Sequence, residues 1–290
     1  MKVWIQALRA HQWAKNILIF VPMVIGQAYS DQSKLLVTLL GFGLLCAVAS
    51  ASYIVNDIVD LDADRAHPTK SRRPFASGEL AVPTGIAVAA ALIVVALLAA
   101  FALSPAFALV LAGYLAGTLA YSFYLKRIPL LDVFTIGALF TARILMGSVV
   151  VSHGQSAWLL SFSMFFFFSL ALAKRHAEVM AAEQRGAINL LGRGYRAADW
   201  PLTLVFGIGA GIASIIIMLL YVANDAAPSN FYHDTGWLYV PPAAISLWLM
   251  RVWLLSHRTA LDDDPVVFAL KDGASWLLGL IVVGAIMLAL

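Results

Sequence analysis

The chain has 290 residues, of which 62% are hydrophobic and 12% charged, and its formal net charge is +3. Its mean hydropathy is +0.87. Soluble domains carry about 25% charged residues, so this chain has too little polar surface to face water all round. Several apolar runs of about 20 residues exclude a soluble α/β enzyme. The lone cysteine, Cys46, excludes an internal disulfide and sits in an apolar run, where packing is its expected role.

The segment from Met1 to Asn16 mixes Lys2, Arg9, His11 and Lys15 with Trp4, Ile5, Leu8 and Trp13. It reads as an amphipathic arm (1–15) lying on the membrane surface, with no cleavable signal peptide evident. Nine spans follow, at about 16–30, 35–55, 83–103, 105–124, 129–152, 157–173, 202–223, 237–256 and 273–290. Backbone groups in lipid must pair within their own segment, so the expected fold is all-α, a polytopic bundle of about nine transmembrane helices. Of the 19 Lys and Arg, 16 fall in the N-terminal arm and the loops after spans 2, 4, 6 and 8. That side is expected to be cytoplasmic, with the N-terminus inside, the C-terminus outside and the functional face inside.

The densest chemistry follows span 2, where Asn56 and Asp57 lead into Asp60, Asp62 and Asp64. If the helix continues here, Asp57, Asp60 and Asp64 stand at i, i+3 and i+7, on one face. Clustered carboxylates repel, and Mg²⁺ is the natural counterion because it is hard and is usually shared between carboxylates and substrate phosphates. The plainer alternative is a solvated helix end. The loop then gives His67-Pro68-Thr69-Lys70, Arg72-Arg73-Pro74 and Ser77-Gly78, so bases that suit phosphate oxygens directly follow the acids.

These motifs resemble the UbiA superfamily of intramembrane prenyltransferases, and the resemblance covers nearly the whole chain as one transmembrane domain (1–290). Gln12-Trp13-Ala14-Lys15-Asn16, the run Tyr121 to Lys126 with Pro129 and Asp132, and Lys174-Arg175-His176-Ala177-Glu178 are closer to its decaprenyl-phosphate phosphoribosyltransferase branch. That branch transfers a 5-phosphoribosyl group from phosphoribosyl pyrophosphate to a polyprenyl phosphate. The resemblance implies that Asp57, Asp60 and Asp64 hold Mg²⁺ on the donor. It further implies that Lys70, Arg72 and Arg73 hold donor phosphates. Lys15, Asn56, Tyr121, Lys126, Asp132, Lys174, Arg175 and Glu178 would line the polar cavity.

The chain departs from the wider superfamily in two places. The second Asp-x-x-x-Asp motif is replaced by Lys174 to Glu178, and Tyr121 and Lys126 stand five apart where the family usually has four. Extra cations suit a donor with an additional 5-phosphate and a lipid phosphate acceptor. The alternatives are a prenyltransferase acting on an aromatic or other small acceptor, and a non-catalytic transporter or lipid-binding protein.

Arg143 lies mid-span and is expected to face the bundle interior, as a substrate-phosphate contact or as an interhelix pair. Arg251 is expected to snorkel. Asp262 to Asp264 with Lys271-Asp272 reads as a lid or as a turn and helix cap. Gly192 to Arg196 is a basic turn with no dinucleotide fingerprint. Phe165 to Phe168 reads as packing, and His67 and His176 show no zinc-like pairing. The expected partners are the bilayer, the two substrates and, as an open question, further copies of the chain; no nucleic acid is expected.

Overall fold

The computed structural model describes residues 2–26, 28–151, 156–190, 192–229, 231–261 and 265–290. Among them there is no strand, only an isolated bridge between Asn189 and Arg196. The arm forms α1 (Lys2–Ala7), then a 3₁₀ helix, Ala10–Phe20, and α2 (Val21–Ile25). There follow α3 (Gln32–Val59), α4 (Leu61–Arg65), α5 (Val82–Leu103), α6 (Pro105–Phe123), α7 (Leu131–Val151) and α8 (Ala157–Gln184). The chain ends with α9 (Trp200–Tyr221), α10 (Val240–His257), α11 (Pro265–Lys271) and α12 (Gly273–Ala289).

Seven helical stretches are long and apolar enough to cross a membrane: α3, α5, α6, α7, α8, Ala197–Ala226 around α9, and Thr235–His257 around α10. The fold is thus an all-α polytopic membrane bundle, and these stretches account for seven of the nine expected spans. The stretch at α12 is apolar but only 17 residues long. The first expected span, 16–30, is not one helix. Pro22 has no N–H to continue the ladder and starts α2 instead, and Gly26 ends it. A third expectation also shifts. Helix α8 runs to Gln184, about three turns past the expected end, so Lys174 to Glu178 lie on a helix and not in a loop.

Short polar side chains start these helices where their first N–H groups would otherwise lack partners. Asp31 Oδ1 accepts from Ser33 N (2.9 Å) at α3, Ser156 Oγ from Leu159 N (3.3 Å) at α8, and Asp272 Oδ2 from Ser275 N (2.8 Å) at α12.

The chain divides into two compact units, Met1–Lys126 with Leu139–Gln155, and Arg127–Ala138 with Ser156–Leu290. In the first, Leu45, Val48, Phe107, Leu111, Tyr114 and Met146 form the main apolar cluster. Within it Arg143 is buried and spends its donors on neutral groups: Nε to Asn16 Oδ1 (2.9 Å), Nη1 to Leu139 O (2.7 Å) and Nη2 to the Tyr114 hydroxyl (2.8 Å). It pins the 3₁₀ segment, α6 and α7 together. Close by, Gly147 lets the backbone of the 3₁₀ segment approach α7, since a Cβ there would lie 2.0 Å from Ile19 O.

In the second unit α8 packs along α9. Trp253 Nε1 donates to Ser169 Oγ (3.0 Å), which donates to Gly207 O (2.7 Å). Arg251 does not snorkel. It forms a two-pronged pair with Asp272 (2.7 and 2.8 Å) because that carboxylate, while capping α12, lies within reach. Hydrogen bonds from Arg251 hold the Asp272 carboxyl below the usual aspartate range. The helix-cap reading of Asp272 therefore holds, while Asp262 to Asp264 lie outside the described residues.

Three outcomes follow. Gly147→Ala should lower the thermal midpoint in detergent through overpacking, at a cost of about 1–3 kcal/mol. Gly113→Ala, with open space around its Cβ, should be neutral or stabilising. A depressed carboxyl contributes stability above its unfolded pKa of about 3.9, which is lost as pH falls through the lower folded value. Asp272→Asn should therefore flatten the acid limb of the pH–midpoint curve below about pH 4.

Candidate functional site

Helix α3 ends at Val59 because Asp60 leaves helical geometry (φ −92°, ψ 11°), and α4 restarts at Leu61. The expected unbroken helix is thus interrupted, yet Asp57 and Asp64 still converge, each 3% exposed. The Arg73 guanidinium joins them through Nη1, 3.2 Å from Asp57 Oδ1 and 2.6 Å from Asp64 Oδ2. Arg9 donates to the same Asp57 oxygen. Asp60 Oδ1 accepts from Lys126 Nζ (2.6 Å). Three carboxylates thus face three cations, all within the first unit. Asp62 points away, fully exposed, in a loose 3.9 Å pair with Arg65.

The loop after α4 is built to present Arg73. Phe75 behind it is buried, and Gly85 of α5 makes room, since a Cβ there would lie 2.5 Å from the Phe75 ring. Ser77 N donates to Arg73 O (2.8 Å), and Gly78 takes the left-handed turn at φ 82°. His67 Nδ1 accepts from Thr69 N (3.2 Å), a turn-forming role. Lys70 and Arg72 are exposed and make no ion pair among the described residues.

A second cluster lies in the other unit. Asp132, wholly buried at the start of α7, accepts from Arg175 Nε (3.0 Å), Arg175 Nη2 (2.9 Å) and the Tyr195 hydroxyl (2.8 Å). Arg175 also pairs with Glu178 and lies over the Tyr195 ring. The same hydroxyl accepts from Leu130 N (2.7 Å), which steadies Leu130 at φ 65°. Burial, then the Asp132 charge, keeps the Tyr195 phenol well above its ordinary range, so it remains a donor. Gly194 admits the adjoining turn, since a Cβ there would lie 2.4 Å from Arg127 O. Lys174, by contrast, is exposed on α8.

The structure thus gathers Asp57, Asp60, Asp64, Arg73 and Lys126 in one cluster and Asp132, Arg175 and Glu178 in another. Arg143 joins neither, and Lys15 lies with it at the Phe140 ring, its Nζ 5.9 Å from the centroid. Asn56 is half-buried on α3, where its carbonyl accepts from Asp60 N (3.0 Å), and Tyr121 is half-buried near the end of α6. Sequence reasoning missed Arg9 and Tyr195. Only the arm's amphipathic pattern and the two glycines just before Tyr195 hinted at them.

Among the described residues no three His, Cys, Asp or Glu side chains form a ready metal shell. Arg73 Nη1 instead lies between Asp57 and Asp64, and Lys126 Nζ holds Asp60. The donor set is nevertheless hard, anionic and all oxygen, which fits Mg²⁺ once Arg73 is drawn onto another anion.

Residues 17–289 match the UbiA prenyltransferase family. The chain is 49% identical to an uncharacterized protein, y4nM of Sinorhizobium fredii, over all of its own length but only 56% of that protein's. It is 32% identical to the nodulation protein NoeC of Azorhizobium caulinodans, covering 93% of this chain and 87% of NoeC. It is 30% identical to a decaprenyl-phosphate phosphoribosyltransferase of Mycolicibacterium smegmatis, covering 97% and 90% of the two chains. Its fold resembles that of a UbiA homologue from Archaeoglobus fulgidus solved with GPP and Mg²⁺, with a TM-score of 0.69 at 15% identity over 99% of this chain and 98% of that one. An acidic cluster edged by cations, on a bundle of apolar helices and matched almost end to end by one family, places this chain in the UbiA prenyltransferase family.

Proposed function

We propose that the chain transfers a 5-phosphoribosyl group from phosphoribosyl pyrophosphate to a polyprenyl phosphate, with Mg²⁺, at the cytoplasmic face of the bacterial inner membrane, and that residues 1–290 act as one catalytic domain. The observation that carries the reading is charge balance. Asp57, Asp60 and Asp64 are already matched by Arg9, Arg73 and Lys126, while Lys70 and Arg72 of the same unit remain exposed. That surplus suits a donor with three phosphates and an anionic acceptor better than a prenyl pyrophosphate alone. The relative from Mycolicibacterium smegmatis supports the same substrates.

In this reading Asp57, Asp60 and Asp64 hold the metal, whose contribution when bound is to draw charge from the leaving pyrophosphate. Arg73 and Lys126 exchange their carboxylate partners for phosphate oxygens, and Lys70 and Arg72 hold the outer phosphates. The ribose C1–O bond to pyrophosphate breaks as an oxygen of the lipid phosphate bonds to C1, which gives a phosphodiester and free pyrophosphate. The attacking oxygen is already anionic, so no strong general base is needed; positioning and electrostatics supply the rate. Asp132, Arg175, Glu178 and Tyr195 are positioning residues that brace the start of α7.

Purified protein given labelled phosphoribosyl pyrophosphate and a polyprenyl phosphate should yield a labelled lipid that requires Mg²⁺. No such lipid, with turnover of a prenyl pyrophosphate onto an aromatic acceptor, would overturn the choice of substrates. Asp57→Asn, Asp60→Asn and Asp64→Asn should each lower turnover at least about 100-fold while the protein stays monodisperse in detergent; full activity in any of them would remove that residue from the metal set. Tyr195→Phe should cost about 1 kcal/mol of stability and lower kcat more than it raises KM for the donor.

A further inference from the structure

Arg9 takes no part in the transfer step proposed above, yet it reaches a buried carboxylate of the cluster. Asp57 Oδ1 accepts from both Arg9 and Arg73, and Arg73 already serves Asp64. One oxygen therefore holds two guanidinium groups. Arg9 is also held in place. It is a non-glycine residue in the left-handed region (φ 49°), a conformation that costs energy unless its surroundings impose it. They do so from both sides. Trp4, Ala7 and Leu8 pack against Ala51, Ile54 and Ile58 of α3, and Ser50 Oγ accepts from Trp13 Nε1 (3.0 Å) while donating to Leu8 O (2.8 Å). The guanidinium lies over the Tyr53 ring at 4.9 Å, one helical turn below Asp57. The amphipathic arm thus does more than lie on lipid: it carries a cation into the acidic cluster and fixes its backbone.

We infer that Arg9 is a phosphate-binding residue of the donor site. In the free protein it neutralises Asp57; when metal-bound pyrophosphate takes that carboxylate, Arg9 turns its donors to the phosphate oxygens that arrive. The exchange keeps every buried charge paired at each stage, which isolated buried ions require. The inference rests on the pyrophosphate-and-metal reading of the cluster, and the test separates the two.

The test is calorimetric binding of inorganic pyrophosphate with Mg²⁺ to the full chain in nanodiscs, prepared with and without phosphatidylglycerol. Wild type should bind in both. Arg9→Gln should weaken binding about tenfold or more, the scale of one charge-assisted hydrogen bond, and Arg9→Lys should stay within about threefold of wild type. If Arg9→Gln binds as tightly as wild type in neutral nanodiscs, or weakens only where phosphatidylglycerol is present, the inference fails and Arg9 serves the lipid surface or the fold. If Arg9→Gln does not fold, Arg9→Lys decides: a loss as large as tenfold despite the retained charge makes Arg9 a structural latch. No binding by wild type would overturn the pyrophosphate reading itself.

Discussion

Two carboxylates buried side by side at the edge of a membrane are a severe electrostatic problem. Left unpaired they would protonate or push the helix ends apart. Here Asp57 and Asp64 stay buried because Arg73 lies between them and Arg9 shares the load, while Lys126 holds Asp60. Much of the first unit serves that arrangement. The arm is folded back on α3 to deliver Arg9, the turn after α4 is anchored by Phe75 to deliver Arg73, and Lys126 is buried just past the end of α6. In the proposed reading, a site neutralised by its own cations can exchange them for metal and phosphate without rebuilding its backbone.

The second unit solves a similar problem differently. Asp132 is wholly buried, but its partners are short-range and mutually braced: Arg175 between Asp132 and Glu178, and Tyr195 between Asp132 and Leu130. Such a satisfied network rigidifies, whereas in the Asp57 cluster one oxygen is shared by two guanidinium groups from distant parts of the chain. In the proposed reading, that contrast separates a site that binds from a support that positions.

The sequence carried the bundle well where length and hydropathy decide. Spans from α3 to α10 fall close to their expected positions, because about 20 apolar residues leave few alternatives. It failed where local chemistry overrides hydropathy. Pro22 splits the first expected span, and α8 continues three turns past its apolar part because Ala, Lys and Glu are good helix formers in water as well as in lipid. The convergence of Asp57, Asp64 and Arg73 was legible from spacing, since the two carboxylates stand two helical turns apart and the base follows within one short loop. Arg9 was not, because 48 residues separate it from Asp57 and nothing in a local pattern announces such a pairing. Tyr195 was hidden for the same reason, as was the Arg251 to Asp272 pair, which a rule for lone cations read as snorkelling.

The central claim is that the Asp57, Asp60 and Asp64 cluster is a metal site closed by guanidinium in the resting state and opened by pyrophosphate. Its most direct test is Mn²⁺ binding followed by electron paramagnetic resonance on the purified chain, with and without inorganic pyrophosphate. The account predicts that the chain binds Mn²⁺ weakly alone and at least about tenfold more tightly with pyrophosphate, a gain that Asp60→Asn and Asp64→Asn each abolish. Tight Mn²⁺ binding that ignores both pyrophosphate and those substitutions would contradict it.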